Sequence, residues 1–182
     1  FRQSQRLTSI LNDMSTLHRL DDAPDTYQFD LIDISSLVKQ VINETEQALE
    51  EHEMHINNLL PQRFILTGNF SLFYSIFRNL TDNAISYAGN GTTITFTAKH
   101  ESPYWHFYVT DNGVGIPIEH QARIFDRFYR IDKGRSRKSG GTGLGLAIVK
   151  NAVIAHGGNI EVYTPKEGGT CFHFTVRDNI NT

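Results

Sequence analysis

The chain has 182 residues, the length of one domain of ordinary size with a short appendage. With 39% hydrophobic and 20% charged residues it reads as soluble and globular, and a formal charge of -3 argues against a general nucleic-acid binder. One cysteine, Cys171, excludes an internal disulfide, and no apolar run approaches a membrane span or a signal-peptide pattern. The chain begins at Phe1 within a helical pattern, so a fragment of a longer protein is expected.

Residues 3–20 place Leu7, Ile10, Leu11, Met14, Leu17 and Leu20 at helical spacings of three and four. The narrow stripe suits a coiled-coil or helical-bundle seam better than a globular core. Pro24, with its acidic neighbours, ends that helix and marks a boundary. Tyr27 to Ile34 predicts a strand with Phe29, Leu31 and Ile34 inward. Asp33 or Ser35 can cap the next helix, whose apolar face runs Leu37, Val38, Val41, Ile42, Thr45, Ala48 and Leu49. Short strands are expected over 54–60 and 63–66. The strongest amphipathic helix follows Gly68, with Asn69 or Ser71 able to cap it, and Gly89 and Gly91 stop it. Strands 92–99 and 104–110, a charged irregular stretch 111–141, a helix 143–156, and strands 159–164 and 170–177 complete the pattern. The expected fold class is α/β (α+β): a two-layer sandwich with three main helices on a mixed, mainly antiparallel sheet, preceded by a separate N-terminal helix.

Four clusters carry chemistry. Asn79 and Asn83, four apart, share one face of the amphipathic helix, and a neutral amide oxygen suits Mg²⁺, which also borrows substrate phosphates. Asp111-Asn112-Gly113-Val114-Gly115-Ile116 follows an apolar strand; a strand-end carboxylate can accept from adenine's amine while glycines let the backbone pass close. Phe125 and Phe128 would plug the core from a single turn. Arg127, Arg130, Lys133, Arg135, Arg137 and Lys138 then place six of the 17 basic residues in a short window, suited to a lid over polyphosphate. Last, Gly141, Gly143 and Gly145 run into an apolar helix whose orphan N–H groups favour an anion. Each cluster alone has a plainer reading as a turn, a polar helix face or solvated loop charge.

Their order is specific. An Asn-bearing helix, Asp-x-Gly-x-Gly, Phe-x-x-Phe and Gly-Thr-Gly-Leu-Gly-Leu resembles the sensor histidine kinase ATP-binding domain and its N, G1, F and G2 boxes. The resemblance implies the Bergerat (GHKL) sandwich, MgATP as cofactor and histidine phosphorylation for relay to a response-regulator aspartate. It also implies domains: residues 1–22 as the second helix of the dimerisation and phosphotransfer domain, 23–26 as linker, and 27–182 as the catalytic domain. Asn83 would coordinate Mg²⁺ and Asn79 would help hold metal or phosphate. Asp111 would read the adenine amine, with Gly113, Gly115, Ile116 and Tyr87 lining that side. Arg130, Lys133 and Arg137 would contact the phosphates, with Asn79, Arg130 and Arg137 as the catalytic set. Phe125, Phe128, Gly141, Thr142, Gly143, Leu144, Gly145 and Leu146 would shape the lid and its hinge. Implied partners are a second copy and a response-regulator receiver domain, with neither nucleic acid nor direct membrane contact. The implied location is the cytoplasmic portion of a membrane-anchored bacterial sensor.

Two departures stand out. Ser86 occupies a position where the family often has Lys, so the basic lid would have to supply that charge. The family's phosphoacceptor segment, a His followed by an acidic residue on the first dimerisation helix, is absent; His18 lies in the second-helix pattern and precedes Arg19. The alternatives are a GHKL-type hydrolase, opposed by Asn79 where a general-base Glu is needed, a non-catalytic nucleotide-binding module, and an anti-sigma serine kinase.

Overall fold

The computed structural model describes residues 2–22, 27–131 and 142–178. Helix α1 (Arg2–Asp22) precedes strand β1 (Asp30–Asp33), helix α2 (Ile34–Glu51), strands β2 (His55–Asn58) and β3 (Ile65–Gly68), and helix α3 (Phe70–Tyr87). Strands β4 (Thr93–Glu101) and β5 (Tyr104–Asp111), the short helix α4 (Ile118–Gln121), helix α5 (Gly145–Ala155) and strands β6 (Ile160–Tyr163) and β7 (Thr170–Arg177) follow. The main sheet has the order β2-β4-β5-β7-β6, parallel only between β2 and β4. A separate ribbon pairs β1 with β3.

Strand alternation builds the core. Phe96, Phe107, Val109, Phe172, Phe174 and Val176 turn one sheet face toward the helices, and Phe77 of α3 meets Phe96, Phe107 and Phe174 edge-on at 5.7, 5.9 and 5.8 Å. The helices start where the sequence suggests. The Asp33 side chain accepts from Ser36 N at the head of α2, and Asn69 accepts from Leu72 N at the head of α3. At its far end α5 is fastened to α3 by the buried His156. Its Nε2 accepts from Asn69 N at 3.1 Å while its Nδ1 donates to Ala152 O at 2.7 Å.

One expectation fails. Leu31, expected inward, is 78% exposed and Ile32 is buried instead, whereas Ile34 is buried and Phe29 packs edge-on against His156 as expected. The ribbon pairing carries the reason: β1 buries only one face against the helices, and Ile32 opposite Leu66 occupies it. The α1 stripe divides. Leu17 and Leu20 are buried against the domain, whereas Leu7, Leu11 and Met14 are exposed, so one helix offers apolar surface in two directions.

Candidate functional site

Helix α3 presents Asn79 and Asn83 one turn apart. The Asn79 amide nitrogen donates to Ser75 O at 2.8 Å, so its oxygen is free to face α5. A Cβ at Gly145 would stand 2.8 Å from that oxygen; glycine is what lets α5 begin against Asn79. No side chain caps α5 at Leu144, and its first-turn N–H groups point out beside Asn79. The two clusters, 66 positions apart in sequence, form one polar corner backed by the helix dipole. Asn83 is half-buried on the same face, and Tyr87, a turn further on, is exposed.

Asp111 ends β5 and is buried. Its carboxylate accepts from Gly113 N at 2.9 Å and from the Thr170 backbone N–H. Burial nevertheless pushes the carboxyl above the usual range, against those two donors. Gly113 lies flush on the end of α3: a Cβ there would sit 2.2 Å from Ala88 O, the oxygen that accepts from Val114 N. Gly115 has φ +78° and would carry its Cβ 3.0 Å from Gly169 O, so the two glycine turns touch beside Asp111. Ile116 packs on the core from the same turn.

Thr170 went unread in the sequence. It is directly opposite Asp111 in the β5–β7 register and is buried, which puts the two side chains on the same face of the sheet. The available signal was its position as the first β-branched residue after Gly168-Gly169.

The Phe-x-x-Phe plug needs correction. Phe125 packs on the core, 6.1 Å from Phe172, with the buried Ile124 beside it. Phe128 does not: it is 54% exposed. Its φ of +63° reverses the chain so that its N–H donates to Gly143 O at 2.8 Å, and that reversal turns the ring outward. Arg130 is thereby brought to the loop, with its Nε 3.3 Å from where a Gly143 Cβ would be. Lys133, Arg137 and Gly141 lie outside the described residues.

Thr142 makes a contact that the sequence did not announce. Its hydroxyl accepts from Leu144 N at 3.1 Å and donates to Asp13 of α1 at 2.6 Å. Leu144 is buried with Leu17, Ala147 and Ile148 in a cluster apart from the main core, while Leu146 packs on the main core. Arg127 pairs with Asp21 of the same helix. Helix α1 therefore lies along the wall of the glycine loop. A surface groove lined by Asp30, Leu31, Asn69 and Phe70 shares none of the site residues.

Residues 68–180 match the family described as histidine kinase-, DNA gyrase B-, and HSP90-like ATPases. The chain belongs to this family. Among its relatives, the sensor-like histidine kinase SenX3 of Mycolicibacterium smegmatis is 33% identical over 174 residues, covering 96% of this chain and 45% of SenX3. The chain spans less than half the length of the curated relatives it matches. The histidine kinase AdeS of Acinetobacter baumannii shares the fold, with a TM-score of 0.81 over 97% of this chain and 81% of that one at 22% identity. Full-length ShkA in complex with AMPPNP superposes with a TM-score of 0.79 at 27% identity, over 93% of this chain and 35% of that one. The five-stranded sheet with helices on one face is the fold of a histidine kinase ATP-binding catalytic domain.

Proposed function

We propose that this chain binds MgATP and, in the full protein, presents the γ-phosphate to a histidine on a dimerisation helix outside it. The observation that carries the reading is the buried Asp111, desolvated at a strand end between two close-packed glycine turns. A carboxylate held this way is costly to the fold and suited to accepting from adenine's exocyclic amine. Thr170 would share that contact through its hydroxyl. The uncapped start of α5, Gly143 and Arg130 would hold the phosphate chain, and Lys133 and Arg137 would add charge from the lid.

No three or more acidic, His or Cys side chains converge as a metal cage among the described residues, and Mg²⁺ fits instead at the Asn83 amide with phosphate oxygens completing its shell. When bound there, the ion neutralises phosphate charge. Asn79, tied to Ser75 and facing α5, fixes where that corner sits. Positioning and charge neutralisation then suffice for phosphoryl transfer, and the histidine's proton goes to a base near the acceptor, off this chain. A hydrolase would need a base at Asn79, and an amide does not accept a proton.

Residues 1–22 act as the second helix of the dimerisation and phosphotransfer domain, 23–26 as linker and 27–182 as the catalytic domain. The partners are a second copy and a receiver domain. No helix among the described residues is long and apolar enough to cross a membrane; the proposed place is the cytoplasmic portion of an anchored sensor. The test adds the preceding helix and incubates with labelled ATP. Acid-labile, base-stable phosphate on the acceptor histidine is expected. Rapid phosphate release without a phosphoenzyme would overturn the kinase reading in favour of a hydrolase.

A further inference from the structure

The helix-free face of the main sheet carries a row of ionisable side chains that the nucleotide site does not use. Since Phe107 and Phe174 face the helices, their neighbours His106 on β5 and His173 on β7 face the other way. His106 Nδ1 lies 2.8 Å from His173 Nε2. The outer nitrogen of each ring meets a carboxylate: His173 Nδ1 donates to Glu161 of β6 at 2.8 Å, and His106 Nε2 stands 3.8 Å from Glu101 of β4. Four strands thus contribute the sequence carboxylate, imidazole, imidazole, carboxylate. Tyr108 stacks on His173 at 4.5 Å with the rings 6° from parallel.

We propose that His106 and His173 form a binding site for a divalent transition-metal ion of the copper or nickel class. Imidazole nitrogen is a preferred ligand of these ions, and a tetragonal ion with bonds of about 2.0 Å holds cis nitrogens about 2.8 Å apart. That is the spacing already present between the two near nitrogens. A tetrahedral ion would need about 3.3 Å, so zinc fits less well. A carboxylate behind the far nitrogen is the usual second support of a metal-bound histidine; His173 has one in hydrogen-bond reach, and Glu101 lies 3.8 Å from His106 Nε2. Without metal, the near nitrogens share the hydrogen of His106. On binding, both lone pairs go to the ion after a pivot of the rings, and that proton moves to His106 Nε2, facing Glu101. His173 keeps its proton toward Glu161, so no net proton is released.

Two protein ligands leave the remaining positions to water, in keeping with the lack of any three-residue cluster among the described residues. Lys99, directly across from His106, is exposed and can swing away from the cation. The ion would tie β5 to β7, the strands that end in Asp111 and begin in Thr170.

The experiment titrates the untagged, nucleotide-free chain with Cu²⁺ and Ni²⁺ by calorimetry and records the Cu²⁺ electron paramagnetic resonance spectrum. One equivalent with hyperfine splitting from two nitrogens is expected. His106→Gln and His173→Gln should each weaken binding at least tenfold, and Glu161→Gln about tenfold. Circular dichroism confirms folding; Glu161→Gln, at an exposed position, keeps the test usable if a histidine variant unfolds. Unchanged affinity in all three variants would mean an adventitious ion only and overturn the site, as would no binding to the wild type. Nucleotide affinity plays no part in this readout, so its outcome is independent of the proposed kinase activity.

Discussion

His156 should make the fold acid-sensitive in a defined window. Burial lowers its pKa from 6.5 to about 4, because the imidazole sits in the core with its Nε2 already accepting from Asn69 N. The unfolded chain therefore binds a proton that the folded chain refuses between these two values. Stability is full above pH 6.5 and is lost as the pH falls toward the folded value. At about 1.36 kcal/mol per pKa unit the complete loss is about 3.4 kcal/mol, and roughly 2 kcal/mol is gone by pH 5. Asp111 and Asp82 carry carboxyls raised by burial and drift the opposite way, so the comparison needs a variant. His156→Gln supplies it: the amide oxygen can accept from Asn69 N but does not titrate. Urea unfolding of both proteins from pH 7.5 to 4.5 should show the wild type losing about 2 kcal/mol relative to the variant by pH 5. A stability difference that stays constant with pH would refute the account of His156.

Asp111→Asn should lose a hydrogen bond to a charged group, about 1.5–3 kcal/mol or roughly 10- to 150-fold in ATP affinity by calorimetry. The same variant should be more stable at neutral pH, because the raised carboxyl makes ionised Asp111 a burden on the fold. Loss of both affinity and stability would point to a structural role. Gly145→Ala forces Asn79 Oδ1 to move, and since this is the end of a side chain the melting temperature should hardly change. Nucleotide affinity should fall at least tenfold; a change under twofold would separate Asn79 from the phosphate corner. Leu17→Ala removes a buried anchor between α1 and the Leu144 cluster, at about 2–5 kcal/mol. Hydrogen exchange should rise in α1 alone, and a uniform rise across the domain would contradict this.

The glycine spacings were informative because their reasons are local. Gly113, Gly115 and Gly145 sit where a Cβ would strike Ala88, Gly169 and Asn79, so the chemistry of close approach is written in the residue type. Helix starts were legible for the same reason, since the Asp33 and Asn69 caps act within three residues. What failed depends on distant partners. Leu31 and Ile32 are equally apolar, and only the pairing of β1 with β3 decides which of them is buried. Phe128 turns outward because Gly143, fifteen residues on, captures its N–H. The contact of Thr142 with Asp13 and the pairing of Thr170 with Asp111 join segments more than fifty residues apart, and no spacing announces them. His106 and His173 meet only through the β5–β7 register.

Asp111 is proposed to read the amine of adenine in an ATP pocket. Calorimetric titration with ATP and with inosine triphosphate, each with and without Mg²⁺, tests it most directly. Inosine replaces the amine with a carbonyl oxygen, which would face the Asp111 carboxylate with no proton between them. Binding of ATP that strengthens with Mg²⁺, and inosine triphosphate weaker by about 10- to 150-fold, is the predicted result. Equal affinity for the two nucleotides, or no binding of ATP, would contradict it.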